Sequence, residues 1–155
     1  VYLAIYVAMT LGSFICIMQL HGHEGVLKEG LADVAGLSKT RPALAACLAI
    51  FMFSLAGIPP LFGFWGKLVV FNAAVAAGLL PLAVIGIAAS VVGAFYYLKI
   101  VKLMYFDEPT ETIVASDSRA LTWTGGVLAV AVSPLGYLAI PVLAVVTAQA
   151  AKALF

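Results

Sequence analysis

The sequence predicts an all-α membrane protein: a polytopic helix bundle of four transmembrane segments, the second broken at residues 57–60. Three observations carry that prediction. Of 155 residues, 65% are hydrophobic and only 10% charged, more apolar surface than a soluble domain of this length can bury and which lipid solvates directly. The apolar residues fall in long runs separated by two polar loops. Finally, Lys67 is the single formally charged residue among the 57 between Arg41 and Lys99, and it follows a cluster of helix breakers in LAGIPPLFGFWGK.

Residues 1–20 form the first charge-free run, long enough to cross a hydrocarbon core of about 30 Å at a rise of about 1.5 Å per residue. Tyr2 and Tyr6 suit an interfacial end, and Gly12 and Ser13 permit close helix contact. Thr10 and Gln19 are polar enough to join a polar pathway, or simply to bond between helices. Because Val1 opens inside an apolar run with no charged leader, the chain is expected to be a fragment of a longer polytopic protein rather than to begin with a signal peptide.

The loop 21–41 contains a stretch, 26–37, that predicts a short amphipathic surface helix with Leu27, Leu31 and Val34 on one side. His21, His23 and Glu24 resemble a metal cluster in outline, but an HxHE run in a glycine-containing loop reads first as solvated, and no metal site is expected. Cys16 and Cys47 sit in separate apolar segments without CxxC spacing and read as inert core thiols.

Residues 42–77 would make a continuous helix of about 54 Å, well beyond the hydrocarbon thickness. Pro59 and Pro60 lack amide donors and disfavour helix upstream, so with Gly57 and Gly63 they predict a break between half-helices at about 42–56 and 61–77. Lys67 then lies about ten residues, or about 15 Å, from the far end, near the midplane.

A third run, 79–98, continues to Phe106, so a helix is expected over 79–106. It carries small residues, Ser90 among them, and ends in tyrosines with Lys99 and Lys102, which fit snorkelling at an interface; Ser90 and Lys99 are also candidates for a polar pathway. After the loop 107–119, residues 120–151 run without charge and predict one tilted or kinked spanning helix around Pro134 and Pro141. The division is therefore one membrane domain, 1–155, with helices at about 1–20, 42–77, 79–106 and 120–151. Lys28, Lys39, Arg41, Lys99, Lys102 and Arg119 fall on one side against Lys152 on the other, which places the loops 21–41 and 107–119 in the cytoplasm.

These features bound function. A net charge of +1 gives no electrostatic case for nucleic acid. Phosphate loops, dinucleotide-binding glycine patterns, HExxH and Ser/His/Asp arrangements are all missing, so the chain is expected to carry no cofactor and no catalytic redox or hydrolytic chemistry. A lysine in hydrocarbon costs roughly 2.5–3.5 kcal/mol even on the lenient insertion scale, and low dielectric disfavours the ammonium form of such groups, which lets them exchange protons. All seven acidic residues lie in the two polar loops, leaving Lys67 without a carboxylate at membrane depth. Two readings follow: a proton-relay residue, or a lysine that snorkels or holds a static ion pair with an acid outside this chain.

The run 49–71, AIFMFSLAGIPPLFGFWGKLVVF, resembles the broken twelfth helix of the antiporter-like membrane subunits of respiratory complex I, the N-type subunits most of all. YVAMTLGSF, DVAGLSKTRP and SVVGAFYYLKIVKLMYFDEP are similar in turn, so the resemblance covers nearly all of residues 1–109. It implies that the chain corresponds to the last four helices of a larger bundle built from inverted repeats. By the same resemblance, Lys67 matches the lysine of a proton channel driven by NADH oxidation and quinone reduction elsewhere. NADH, FMN, iron–sulfur clusters and quinone would then bind other subunits. The partners implied are the other membrane subunits of the complex, neighbouring antiporter-like subunits and the lipid of a bacterial inner membrane. The alternatives are a subunit of an Mrp-type cation/proton antiporter, towards which the Trp of GFWGK leans, and a purely structural membrane subunit.

Overall fold

A chain this apolar satisfies its backbone polar groups by bonding them within each segment, and helices do this without a partner strand. The computed structural model describes residues 2–22, 26–28, 30–109, 113 and 118–152. Helices α1 (Tyr2–Ile17), α2 (Leu37–Thr40), α3 (Pro42–Ala56), α4 (Phe62–Ala76), α5 (Leu80–Phe106), α6 (Arg119–Val132) and α7 (Ile140–Lys152) follow in order, with 3-10 stretches at Leu31–Val34 and Pro134–Ala139. The fold is an all-α bundle whose second long segment is broken between Ala56 and Phe62.

α3 is the centre of the bundle. It packs against α1, α4, α5 and α6, and buries Leu44, Leu48, Phe51, Met52 and Leu55. The Phe51 ring is fully buried against Gly12 of α1, where any Cβ would overlap it. Both α3 and α5 carry a proline in the first turn, where a missing amide costs nothing. At 27 residues, about 40 Å, α5 is the one helix among the described residues long and apolar enough to cross a bilayer alone. Most of its surface is exposed, and Ala83, Val101 and Met104 are its buried positions.

Side chains and turns fix one end of the bundle. Gln19, just beyond α1, donates through Nε2 to the Ile15 carbonyl (3.0 Å) and accepts from Thr122 Oγ1 of α6 (3.0 Å), while Arg41 donates to the Gln19 carbonyl (2.9 Å). Gln19 is thus an interhelical tie. Lys39 pairs with Glu108 (2.7 Å) and Lys102 with Asp107 (2.5 Å), exposed bridges that each add under about 1 kcal/mol.

Two stretches differ from the sequence expectation. In place of an amphipathic helix over 26–37, Val26, Leu27 and Leu31 are exposed, a 3-10 turn covers Leu31–Val34, and only α2 follows. Extended backbone at Gly30 and a left-handed turn at Gly36 (φ 65°) interrupt the helix, and Gly36 N–H is drawn to the Leu103 carbonyl of α5 (3.0 Å). In the last segment, the kink at Pro134 takes the form of a 3-10 stretch between α6 and α7. Proline favours extended backbone at Ser133 (ψ 176°), whose hydroxyl donates to the Val130 carbonyl at the end of α6 (2.6 Å).

Gly36 supplies a stability test. An alanine there must adopt left-handed backbone and place its Cβ against Pro109. Gly36→Ala in the full-length protein should lower stability by about 1–2 kcal/mol from the backbone alone, read as a lower unfolding midpoint in detergent.

Candidate functional site

The site grows out of an accounting problem at the end of α3. A helix leaves its last four carbonyls without intrahelical donors, here those of Phe53, Ser54, Leu55 and Ala56. Gly57 turns into the left-handed region (φ 85°), letting Gly57 N–H reach the Ser54 carbonyl (3.0 Å) and Ile58 N–H the Phe53 carbonyl (3.1 Å). The other two are met from α4: Lys67 Nζ donates to the carbonyls of Leu55 (2.9 Å) and Ala56 (3.2 Å). A Cβ on Gly57 would approach Lys67 Nζ to 3.2 Å, so glycine here serves both the turn and the lysine.

The start of α4 is served in return by α3. Gly63 N–H donates to Ser54 Oγ (2.9 Å), and the fully buried Ser54 hydroxyl donates onward to Met9 Sδ of α1 (3.0 Å). Gly63 is required because a Cβ would overlap the Ser54 carbonyl. Tyr137, beyond α6, donates to the Leu61 carbonyl (3.1 Å) and packs its ring on Phe62, which also stacks on Trp65. Pro59 and Pro60, joined by a cis peptide, form the exposed outer side of the turn.

Lys67 is half-buried, and its ammonium has no carboxylate partner among the described residues. Two clefts meet at it. One, of about 490 Å³, lies between α4 and α5 and is walled mainly by apolar residues such as Phe64, Phe71 and Ile87, with Asn72 and Ser90 as its polar members. The other, of about 260 Å³, is lined by Tyr2, Tyr6, Met9, Ser90, Gly93 and Tyr97.

The structure brings together Lys67, Gly57, Pro59, Pro60, Gly63 and Ser90, the last lining both clefts. Thr10 is half-buried on α1 and Lys99 exposed on α5, and neither is among the residues lining these clefts. His23 and Glu24 of the HxHE run lie outside the described residues. Cys16 and Cys47 are free thiols on a common cleft between α1, α3 and α6. Sequence reasoning missed Ser54, hidden in an apolar run, and the cleft that Tyr2, Tyr6 and Tyr97 line together. The spacing of Ser90, Gly93 and Tyr97 along one face of α5 was the available signal.

The family described as "NADH:quinone oxidoreductase/Mrp antiporter, TM" matches residues 1–93. The chain is 59% identical over 157 residues to NADH-quinone oxidoreductase subunit N of Rhizorhabdus wittichii, a match covering 99% of this chain and 32% of that protein. It is 56% identical over 155 residues to the protein of the same name from Erythrobacter litoralis, again covering 99% of this chain and 32% of the relative. Among solved structures it is similar to a chain of respiratory complex I from Thermus thermophilus with bound aureothin, at 29% identity and a TM-score of 0.77, covering 90% of this chain and 32% of that one. The chain therefore spans about a third of the length of the relatives it matches.

Ser54→Ala tests the joint between the half-helices. It leaves the buried Gly63 N–H without its acceptor, which should cost about 1–3 kcal/mol of stability in the full-length protein, measured by denaturant or thermal unfolding in detergent.

Proposed function

The chain belongs to the NADH:quinone oxidoreductase/Mrp antiporter family of membrane proteins, and from that premise we propose that it is part of a proton-translocating, non-redox membrane subunit of an NADH:quinone oxidoreductase. Oxidation of NADH and reduction of quinone occur in other subunits, which hold the FMN and iron–sulfur clusters. The work of this segment is to carry a proton on Lys67. Its partners are the other membrane subunits, neighbouring antiporter-like ones included, in a bacterial inner membrane. The loops 21–41 and 107–119 face the cytoplasm, as the distribution of basic residues favours.

The observation that supports this reading is the carbonyl cradle of Lys67. A helix C-terminus presents roughly half a negative charge. A unit charge pair at about 4 Å is worth about 4 kcal/mol at an effective dielectric of 20, so the helix end supplies about half of what a carboxylate would. The ammonium is held in position without being neutralised. A charge arriving nearby in another part of the subunit can then change the proton occupancy of Lys67, whereas a tight carboxylate pair would resist it.

A second reading, a subunit of a cation/proton antiporter, draws on the same family description, which names both classes. Dependence of transport on sodium rather than on NADH would favour it. Lys67→Ala in the full-length subunit should lower stability by leaving the Leu55 and Ala56 carbonyls without donors, and in the complex that assembles it should reduce NADH-driven proton pumping severalfold, measured in inside-out membrane vesicles. Normal pumping by the assembled variant would overturn the relay reading, and loss of assembly would favour a structural role for the lysine.

A further inference from the structure

The last segment is interrupted at the level where the second one is. α3 and α6 start from the same end of the bundle, where Arg41, Gln19 and Thr122 tie them together. α3 runs 15 residues and α6 runs 14, so both stop about 20 Å along. Beyond α6 the backbone is extended at Ser133, and the 3-10 stretch Pro134–Ala139 lies against the start of α4. Three contacts make that meeting specific. The Leu61 carbonyl, which already accepts from Phe64 N–H (3.1 Å), also accepts from the Tyr137 hydroxyl (3.1 Å). The Tyr137 ring packs on the buried Phe62 ring with centroids 5.8 Å apart. Gly136 is buried, and a Cβ there would come to 3.2 Å from Phe62 and overlap the Ala131 carbonyl. A half-buried tyrosine hydroxyl in apolar surroundings needs a partner, and the break supplies one as a backbone carbonyl.

We infer that Tyr137 is a positioning residue for Lys67: its hydroxyl and ring hold the first turn of α4 and so set where the lysine stands against the end of α3. The inference rests on the reading of Lys67 as a proton carrier. α4 is anchored twice in that turn, to two different elements. Gly63 N–H is fixed to Ser54 of α3, while Leu61 and Phe62 are fixed to Tyr137. Beyond Gly66 the helix buries little of its surface, so the first turn carries its alignment. Lys67 follows Gly63 by four residues and stands on the same face, one turn along. Its bonds to the Leu55 and Ala56 carbonyls are 2.9 and 3.2 Å long, and a shift of α4 by about half an ångström would take the longer one out of hydrogen-bond range. Tyr137 bonds to the backbone of Leu61 and not to the lysine, so it acts through the helix. The family match ends at residue 93, and the last segment thereby gains a task outside the matched stretch.

The test uses the full-length subunit in its assembled complex and reads protons pumped per NADH oxidised, with Lys67 present and in the Lys67→Ala background. Tyr137→Phe keeps the ring and removes the bond to Leu61. With Lys67 present it should lower pumping about two- to tenfold, the worth of one hydrogen bond. In the Lys67→Ala background it should cause no further loss, because its effect passes through the lysine. The same factor in both backgrounds would show a merely structural role and overturn the inference, as would wild-type pumping in assembled Tyr137→Phe. Phe62→Leu, which removes the ring that Tyr137 packs on, is read in the same way if Tyr137→Phe does not assemble. Failure of both variants to assemble would also overturn it. Normal pumping in Lys67→Ala alone would instead overturn the reading of Lys67 as the carrier.

Discussion

The rest of the structure depends on the hydrogen bonds from Lys67 to the carbonyls of Leu55 and Ala56. A broken helix surrounded by apolar side chains must satisfy every backbone group it exposes, and water is scarce there. Gly57 and Ile58 take two of the four orphan carbonyls, and Lys67 takes the other two. The orphan carbonyls and the half-buried ammonium therefore satisfy each other within one arrangement. The break needs a donor at that depth, and the lysine needs acceptors. Ser54 answers the opposite need, accepting from Gly63 at the start of α4. The joint between the half-helices is thus closed from both sides.

Around that joint, packing divides between rigid and open regions. α1, α3 and the facing side of α6 supply most of the buried core, with Phe51 at the centre. α4 beyond Gly66 and the first half of α5 bury little of their surface, and the clefts beside Lys67 lie along them. In the proposed relay role the lysine cannot sit inside a close-packed core, because proton exchange requires water at the ammonium. Its backbone support must nevertheless be firm. The broken helix meets both conditions by setting its first half in the core and its second half at the edge.

Much of this was legible in the sequence. The isolated charge at Lys67 and the breakers Gly57, Pro59, Pro60 and Gly63 are local signals, and the half-helices they imply end within a residue or two of the observed α3 and α4. The motif also carried the family resemblance that the comparisons bear out. What was not legible depends on tertiary contact. Composition shows that no acid lies near Lys67 in sequence, but backbone carbonyls have no sequence signature, so the cradle could not be read. Ser54 looks like any small residue in an apolar run until Gly63 is brought against it. Tyrosines near segment ends fit an interfacial belt by pattern, whereas the pairing of helices sets Tyr2 and Tyr6 beside Tyr97. Glycine misled in the loop 21–41, where hydrophobic spacing suggested a helix that Gly30 and Gly36 interrupt.

The contact between Gly12 and the Phe51 ring governs dimensional tolerance at a distance. With no side chain between them, α1 lies as near to α3 as an aromatic ring allows. Met9 stands one turn from Gly12 and touches Ser54, so the seam between these helices serves as a reference surface for the joint. Widening it by the thickness of a methyl group would displace the sulfur from the hydroxyl before disturbing anything charged. The accuracy with which the lysine is held is therefore set partly by an apolar contact at a residue that has no chemistry of its own.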